Sequence, residues 1–208
     1  MTPAANQGGE SIAAVLRPHL ARRTVALVGN AHSILDQQRG MDIDRCDVVI
    51  RLNGAPQMAP ESHGRRTTLL FTSSLLPVSR VRELQPQLLL WMSPKQRVRA
   101  AAAYGLIFPL QFYPRSWWDA LKASIGGSRP STGLMAIDLL LRIDSYTELS
   151  LFGFDFFQSQ SLSVRQIAVP PPHDFVGERA RMAKFMEDEP RLRLVTGRAG
   201  CKAELACR

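Results

Sequence analysis

Short apolar runs alternate along the chain with longer segments in which apolar residues recur at helical spacing. The apolar runs predict β-strands at residues 24–28, 48–52, 67–71, 88–92, 106–109, 149–154 and 192–195. The segments between them predict helices at residues 77–84, 96–104, 117–124, 132–143 and 174–187. Because several strands are apolar throughout, we expect them to be covered on both faces. The pattern predicts an α/β fold, with a single doubly wound, mostly parallel sheet and helices on both faces.

The length of 208 residues fits one ordinary domain and is too short for two large ones. We expect a polar leader at residues 1–22, a catalytic α/β domain at 23–195 and a C-terminal tail at 196–208. The leader lacks the apolar core of a signal peptide, and no segment approaches the ~20 apolar residues of a membrane span. We therefore expect a soluble, cytoplasmic protein.

The net charge of +8 favours an anionic partner, which is a nucleotide, a nucleic acid or an acidic membrane surface. The basic residues are scattered in pairs, with no aromatic stripe and no nucleic-acid-binding motif between them. We therefore expect no nucleic-acid partner, and we keep peripheral association with an acidic membrane surface as an option. The three cysteines show no metal-binding spacing, which disfavours zinc and indicates a reducing compartment.

Two asparagines follow the first two predicted strands. Asn30 comes after Gly29 at the end of strand 24–28, and Asn53 directly follows strand 48–52. Ligands of open α/β sheets bind beyond the carboxyl ends of the strands, so both carboxamides should lie beside one crevice. An amide donates and accepts hydrogen bonds, which suits a ribose and the polar edge of a pyrimidine. The alternative is that each Asn only accommodates a turn at a strand end.

A loop rich in Gly and Ser runs directly into the apolar helix predicted at 132–143. Its last residues are Ser131, Thr132 and Gly133. Free N–H groups, the positive end of the helix dipole and two hydroxyls form a site for a phosphate or a carboxylate. The alternative is a Ser N-cap before a buried helix. The loop lacks the Lys of a Walker A motif, and no GxGxxG follows the first strand, which disfavours a dinucleotide cofactor.

His173 ends a segment with three prolines and lies just before the helix predicted at 174–187, which contains Glu178. A neutral imidazole at this place can act as a general base, and the alternative is a residue that caps the helix at the surface. We expect the other histidines, including His63, to be solvated. Asp42 and Asp44 form a DxD string, but they precede a strand, so we expect no metal site.

Three ordered segments resemble the motifs of the sialyltransferases, glycosyltransferase family 29. Residues 25–68 are similar to the large sialylmotif, in VGN, in a Gly followed by Ile-Asp, and in an Asp, Val, Arg, Asn, Ala, Pro series. Residues 129–154 resemble the small sialylmotif, with an STG turn and a closing Gly-Phe. His173 and Glu178 match the spacing of the very small motif.

The resemblance implies a Rossmann-like glycosyltransferase domain and an inverting, metal-independent reaction without a cofactor. The donor would be a CMP-sugar that carries sialic acid or a related 2-keto sugar acid such as Kdo, and the acceptor a glycan hydroxyl. In this family Gly29, Asn30 and Asn53 would contact the CMP moiety. Residues Ser131, Thr132 and Gly133 would contact the donor's phosphate or carboxylate. His173 would be the catalytic base, and Glu178 would support it or its helix.

The sequence also departs from the family. Val25 and Asp144 occupy the positions at which animal members carry a disulfide. A further histidine expected near residues 156–161 is absent, which leaves Gln158 and Arg165 as candidates for its role. Two alternatives therefore stay open, a non-catalytic CMP-binding module and a basic nucleic-acid-binding protein.

Overall fold

The computed structural model describes residues 7–56, 59–155 and 174–197. All strands of this part form one seven-stranded sheet in the order β5-β4-β3-β2-β1-β6-β7. Every neighbouring pair is parallel, which confirms the predicted α/β class. The strands are β1 (Thr24–Val28), β2 (Val48–Leu52), β3 (Leu69–Thr72), β4 (Leu88–Trp91), β5 (Leu110–Phe112), β6 (Glu148–Phe152) and β7 (Leu192–Val195).

Helices cover both faces of the sheet. They are α1 (Gln7–Leu20), α2 (Ile34–Gln37), α3 (Gly40–Arg45), α4 (Pro60–His63), α5 (Val78–Leu84), α6 (Arg97–Tyr104), α7 (Arg115–Ser124), α8 (Thr132–Ile143) and α9 (Phe175–Asp188). Side chains of α1, α7, α8 and α9 share one core with the sheet, and side chains of α2, α3, α5 and α6 pack against the opposite face. In the described residues, no helix combines the length and the apolar character needed to cross a bilayer.

Strand β1 shows why a central strand can carry a run of consecutive apolar residues, here Val25 to Val28. Val25 and Leu27 belong to the core that contains α8, whereas Ala26 and Val28 pack with Ile34 on the other face. Residues Val25 to Val28 are all almost fully buried. Covering both faces therefore removes the alternation that a half-exposed strand would show.

Helix α1 lies within the segment predicted as a polar leader, and it packs into the core. Ile12, Leu16 and Leu20 of this helix are at most 2% exposed. A Cβ atom on Gly9 would lie 2.5 Å from Cζ2 of Trp117, so the helix backbone rests directly on the indole of α7. Trp117 thus anchors two helices on the same face of the sheet.

The fifth strand lies later in the chain than the sequence predicts. The prediction placed it at residues 106–109, but that segment forms a turn in which the Tyr104 carbonyl accepts hydrogen bonds from the N–H groups of Ile107 and Phe108. Leu106 is 99% exposed there. The strand prediction at 106–109 is therefore wrong, and β5 begins after Pro109.

His63 is buried, contrary to the expectation that it is solvated. His63 is the last residue of α4, and its Nδ1 lies 3.2 Å from the Ala59 carbonyl oxygen. The His63 carbonyl accepts a hydrogen bond of 2.9 Å from Nη2 of Arg51, whose side chain is itself buried. Burial lowers the pKa of His63 and lowers that of Arg51 to about 10. This polar cluster joins β2 to the segment that connects β2 with β3.

Candidate active site at the carboxyl edge of the sheet

The strand order reverses beside β1, because β2 lies on one side of it and β6 on the other. Such a switch point opens a crevice at the carboxyl ends of the strands. Gly29 and Ala31 continue from β1 and donate N–H hydrogen bonds to the carbonyls of Phe152 and Gly153, at 2.7 and 3.1 Å. The loops after β1 and β6 are therefore tied together at the base of the crevice.

Asn30 and Asn53 both lie at this edge, as the sequence predicts. Nδ2 of Asn30 donates to the Leu52 carbonyl at 3.0 Å, so its carboxamide reaches the end of β2. Asn53 has a positive φ of 51° and its Oδ1 accepts from the Ser73 N–H at 3.0 Å. For Asn53 the turn interpretation is correct, and the same turn places its carboxamide at the crevice.

Thr132 joins the start of α8 to the ends of β2 and β3. Its hydroxyl donates to Oγ of Ser73 at 2.8 Å and lies 3.4 Å from Oδ1 of Asn53. The structure therefore adds Ser73 to the predicted group. The sequence signal was available, since Ser73 follows β3 in the same way that Asn53 follows β2.

Ser131 is the N-cap of α8. Its Oγ accepts from the Leu134 N–H at 3.2 Å, so the N-cap interpretation of this residue is correct. The helix geometry offers no intrahelical acceptor to the N–H groups of Thr132 and Gly133. These two groups and the positive end of the α8 dipole lie at the mouth of the crevice, where an anionic ligand would be stabilised.

Glu178 connects α9 to this helix entrance. Its carboxylate accepts hydrogen bonds from the N–H and from the hydroxyl of Ser131, both at 2.6 Å. The side chain is only 2% exposed, and burial raises its pKa to about 7 although both hydrogen bonds act in the opposite direction. Glu178 therefore holds Ser131 in place, which is a positioning role.

Phe154 closes the segment that resembles the small sialylmotif, but the sequence assigned it no role in the site. A Cβ atom on Gly29 or on Gly133 would lie 3.0 Å from the Phe154 ring. A side chain on Gly29 would also overlap the carbonyl oxygen of Gly153. Both positions thus need glycine because the loop after β1 and the start of α8 approach the same ring from two sides.

His173, the predicted base, lies outside the described residues, as do Gln158 and Arg165. The segment between β6 and α9, which contains all three, is flanked on both sides by described residues beside the crevice. Phe154 and Asp155 precede it, and Asp174 follows it as the N-cap of α9. Both ends of the segment that carries His173 are therefore attached to this part of the molecule.

The two aspartates of the DxD string are occupied by protein groups. Oδ2 of Asp42 lies 3.0 Å from Nη1 of Arg39. The carboxylate of Asp44 accepts hydrogen bonds from the N–H groups of Arg65 and Arg66, at 2.8 to 3.0 Å. Within residues 7–56, 59–155 and 174–197, no group of three or more His, Cys, Asp or Glu is placed to hold a metal ion.

Residues 13–98 match the sequence model of glycosyltransferase family 29, the sialyltransferases. The matched segment contains β1, β2 and both asparagines of the crevice. The predicted resemblance to family 29 is confirmed. No curated protein sequence matches the chain at a significant level.

Solved sialyltransferases share the fold. A mammalian sialyltransferase in complex with Gal-beta-1-3GalNAc-ortho-nitrophenol aligns with a TM-score of 0.62 and 19% identity, over 95% of this chain and 82% of that chain. CstII from Campylobacter jejuni in complex with cytidine-5'-monophosphate aligns with a TM-score of 0.54 and 15% identity, over 84% and 79% of the two chains. CstII with the substrate analogue CMP-3FNeuAc gives 0.52 and 14%, over 83% and 78%. The chain therefore has a sialyltransferase fold.

Proposed function

We propose that the chain is an inverting glycosyltransferase that transfers a sialic acid or a related 2-keto sugar acid from a CMP-sugar to a glycan hydroxyl. One observation carries the proposal. Two carboxamides, Asn30 and Asn53, share the carboxyl edge of the sheet with the helix entrance at Ser131 to Gly133. That combination offers polar partners to a nucleoside and a positive helix end to its phosphate.

The donor would lie across the switch point with its phosphate at the start of α8. In the reaction, the acceptor oxygen forms a bond to the anomeric carbon while the bond from that carbon to the phosphate oxygen breaks. The electron pair leaves with CMP, and His173 takes the proton of the acceptor hydroxyl. A single displacement of this kind inverts the anomeric centre.

The charge that develops on the leaving phosphate would be stabilised by the N–H groups of Thr132 and Gly133. These donors are fixed before the reaction because Ser131 is tied to Glu178. Preorganised donors of this kind stabilise charge that appears in the transition state. The proposal therefore includes no metal ion, and it needs no cofactor apart from the CMP-sugar substrate.

The test is to incubate the protein separately with CMP-Neu5Ac and CMP-Kdo and to measure CMP release with and without glycan acceptors. We expect acceptor-dependent release with one of the two donors and an unchanged rate in EDTA. Loss of the rate in EDTA would contradict metal independence. Tight CMP binding without hydrolysis or transfer would instead support the non-catalytic binding module.

The His173→Ala variant tests the assignment of the base. Transfer should fall by at least about 100-fold, since general base catalysis contributes this much or more. CMP binding, measured by calorimetry, should stay within about twofold of the wild type. A variant that transfers at the normal rate would show that another group accepts the proton.

A further inference from the structure

A second concave surface lies at the carboxyl edge of the sheet, beside β5. It is a groove of about 490 Å³, and we call it the β5 groove. Its polar and aromatic lining comes from Ser11, Arg97, Gln111, Phe112, Arg115 and Ser116. None of these groups belongs to the crevice described above, and the proposed reaction assigns them no role.

The lining of the β5 groove favours an anionic ligand. Gly8 and Ser11 come from the first turns of α1, Arg97 is the first residue of α6, and Arg115 is the first residue of α7. The starts of three helices therefore line one groove, and each contributes the positive end of its dipole. No Asp or Glu occurs among the described residues that line it.

Arg97 places a positive charge in this groove. Its guanidinium carbon lies 4.6 Å from the centre of the Phe112 ring, and its side chain forms no ion pair with a described carboxylate. Partial burial lowers the pKa of Arg97. Arg115 differs, since Nε pairs with Asp119 at 3.0 Å. An anion in the groove would pair with the Arg97 guanidinium, which has no carboxylate partner among the described residues.

The β5 groove lies within reach of a saccharide that reacts in the crevice. Strand β4 separates β5 from β3, and Ser73 follows β3 at the crevice. Neighbouring strands are about 4.8 Å apart, so β5 lies about 10 Å from the Ser73 side of the crevice and about 19 Å from β1 at the switch point. An oligosaccharide acceptor can span these distances while its reactive hydroxyl stays at the crevice.

We propose that the β5 groove binds a negatively charged group of the acceptor, a phosphate ester or a carboxylate carried by the glycan. That the bound anion belongs to an acceptor rests on the proposed transferase function. Binding of an anionic sugar to the groove does not depend on it. Arg97 supplies the charge that pairs with the anion, while the carboxamide of Gln111 offers further hydrogen bonds.

The first experiment measures binding without turnover. The full chain is titrated with glucose 6-phosphate, glucuronic acid and neutral glucose by calorimetry, with and without CMP. We expect one or both sugar anions to bind at least about 10-fold more tightly than glucose, and Arg97→Gln to remove that preference. The matched control is Arg99→Gln, which removes the same charge from an exposed position of α6 outside the groove.

The second experiment compares a neutral galactoside acceptor with its phosphorylated and its glucuronic-acid-containing counterparts. Arg97→Gln should raise the KM for the anionic acceptors about 10-fold and leave the KM for the neutral acceptor and the affinity for CMP unchanged. Equal binding of glucose and both sugar anions, or equal effects of Arg97→Gln and Arg99→Gln, would overturn the inference while the transferase proposal stands. If sugar anions bind at Arg97 but no transfer is detected with any acceptor, the transferase proposal is overturned and the groove remains an anion-binding site.

Discussion

Glu178 and Ser131, which are 47 positions apart in the sequence, share two hydrogen bonds of 2.6 Å. One hydrogen bond comes from the backbone N–H of Ser131 and the other from its hydroxyl. Since Ser131 caps α8 and Glu178 belongs to the first turn of α9, this pair fixes the relative position of two helix starts at the crevice.

The burial of Glu178 makes the stability of the protein depend on pH. Its folded pKa of about 7 lies above the ordinary value of 4.5, so the folded state holds the proton more tightly than the unfolded state. The contribution of this carboxyl to stability is therefore complete below pH 4.5 and is lost as the pH rises through 7. Glu178→Gln stays neutral, so we expect it to gain up to about 3 kcal/mol relative to wild type between pH 5 and pH 8.

Urea unfolding at the two pH values checks this expectation. Glu187→Gln, at an exposed position of the same helix, serves as the control and should show no comparable change. A difference between wild type and Glu178→Gln that stays constant from pH 5 to pH 8 would mean that the buried carboxyl does not titrate in this range.

Asn53 combines a backbone role with a proposed binding role, and two substitutions separate them. Asn53→Gly tolerates the positive φ, whereas Asn53→Ala does not and should be about 1 kcal/mol less stable than the Gly variant. Both variants lose the carboxamide, so both should bind CMP about 10-fold more weakly than wild type. Unfolding curves and CMP calorimetry give the two quantities. Normal CMP affinity of the Gly variant would show that the Asn53 carboxamide does not contact CMP.

Gly29 is constrained by backbone and ring atoms around it. A methyl group there would overlap the Gly153 carbonyl and contact the Phe154 ring, so Gly29→Ala should destabilise the protein by about 2 kcal/mol or more. A Cβ atom on Gly54 meets nothing within 4 Å, and Gly54→Ala should change stability by less than about 0.5 kcal/mol. Thermal unfolding of both variants measures this difference in stability. Equal melting temperatures of the two variants would contradict it.

Asp138 is a buried carboxylate on α8 that depends on two partners. Its Oδ2 accepts from the Tyr113 hydroxyl and from Nε of Arg142, both at 2.8 Å. Arg142→Met leaves the buried charge without a cation and should cost about 3 kcal/mol in urea unfolding. Asp138→Asn in the same background should recover part of that loss. If Arg142→Met alone were nearly neutral, the pair would not stabilise the fold.

Much of the sheet could be predicted because covered strands leave a simple signature. The limits of β1 and β2 and of α8 agree with the prediction, since mostly apolar runs are followed by turn residues at Gly29 and Asn53. Helices α2, α3 and α4 are four to six residues long, too short for any helical period to show. The run at residues 106–109 misled because apolar composition does not distinguish an exposed turn from a buried strand.

For the candidate site, the sequence indicated residues at strand ends but not their tertiary contacts. Asn30 and Asn53 followed from the rule for open sheets, and Thr132 followed from the helix entrance. The hydrogen bonds between Glu178 and Ser131 could not be predicted, since they join segments that only the folded chain brings together. The β5 groove was hidden for the same reason, because its walls come from the starts of three separate helices.

The Phe154 ring between Gly29 and Gly133 works as a spacer. In the proposed donor complex, the thickness of this ring would set the distance between the nucleoside and the phosphate. Shape selection among CMP-sugars would then depend on a side chain that forms no hydrogen bond with the ligand. A smaller or larger side chain at residue 154 would then change how both the nucleoside and the phosphate of the donor fit the site.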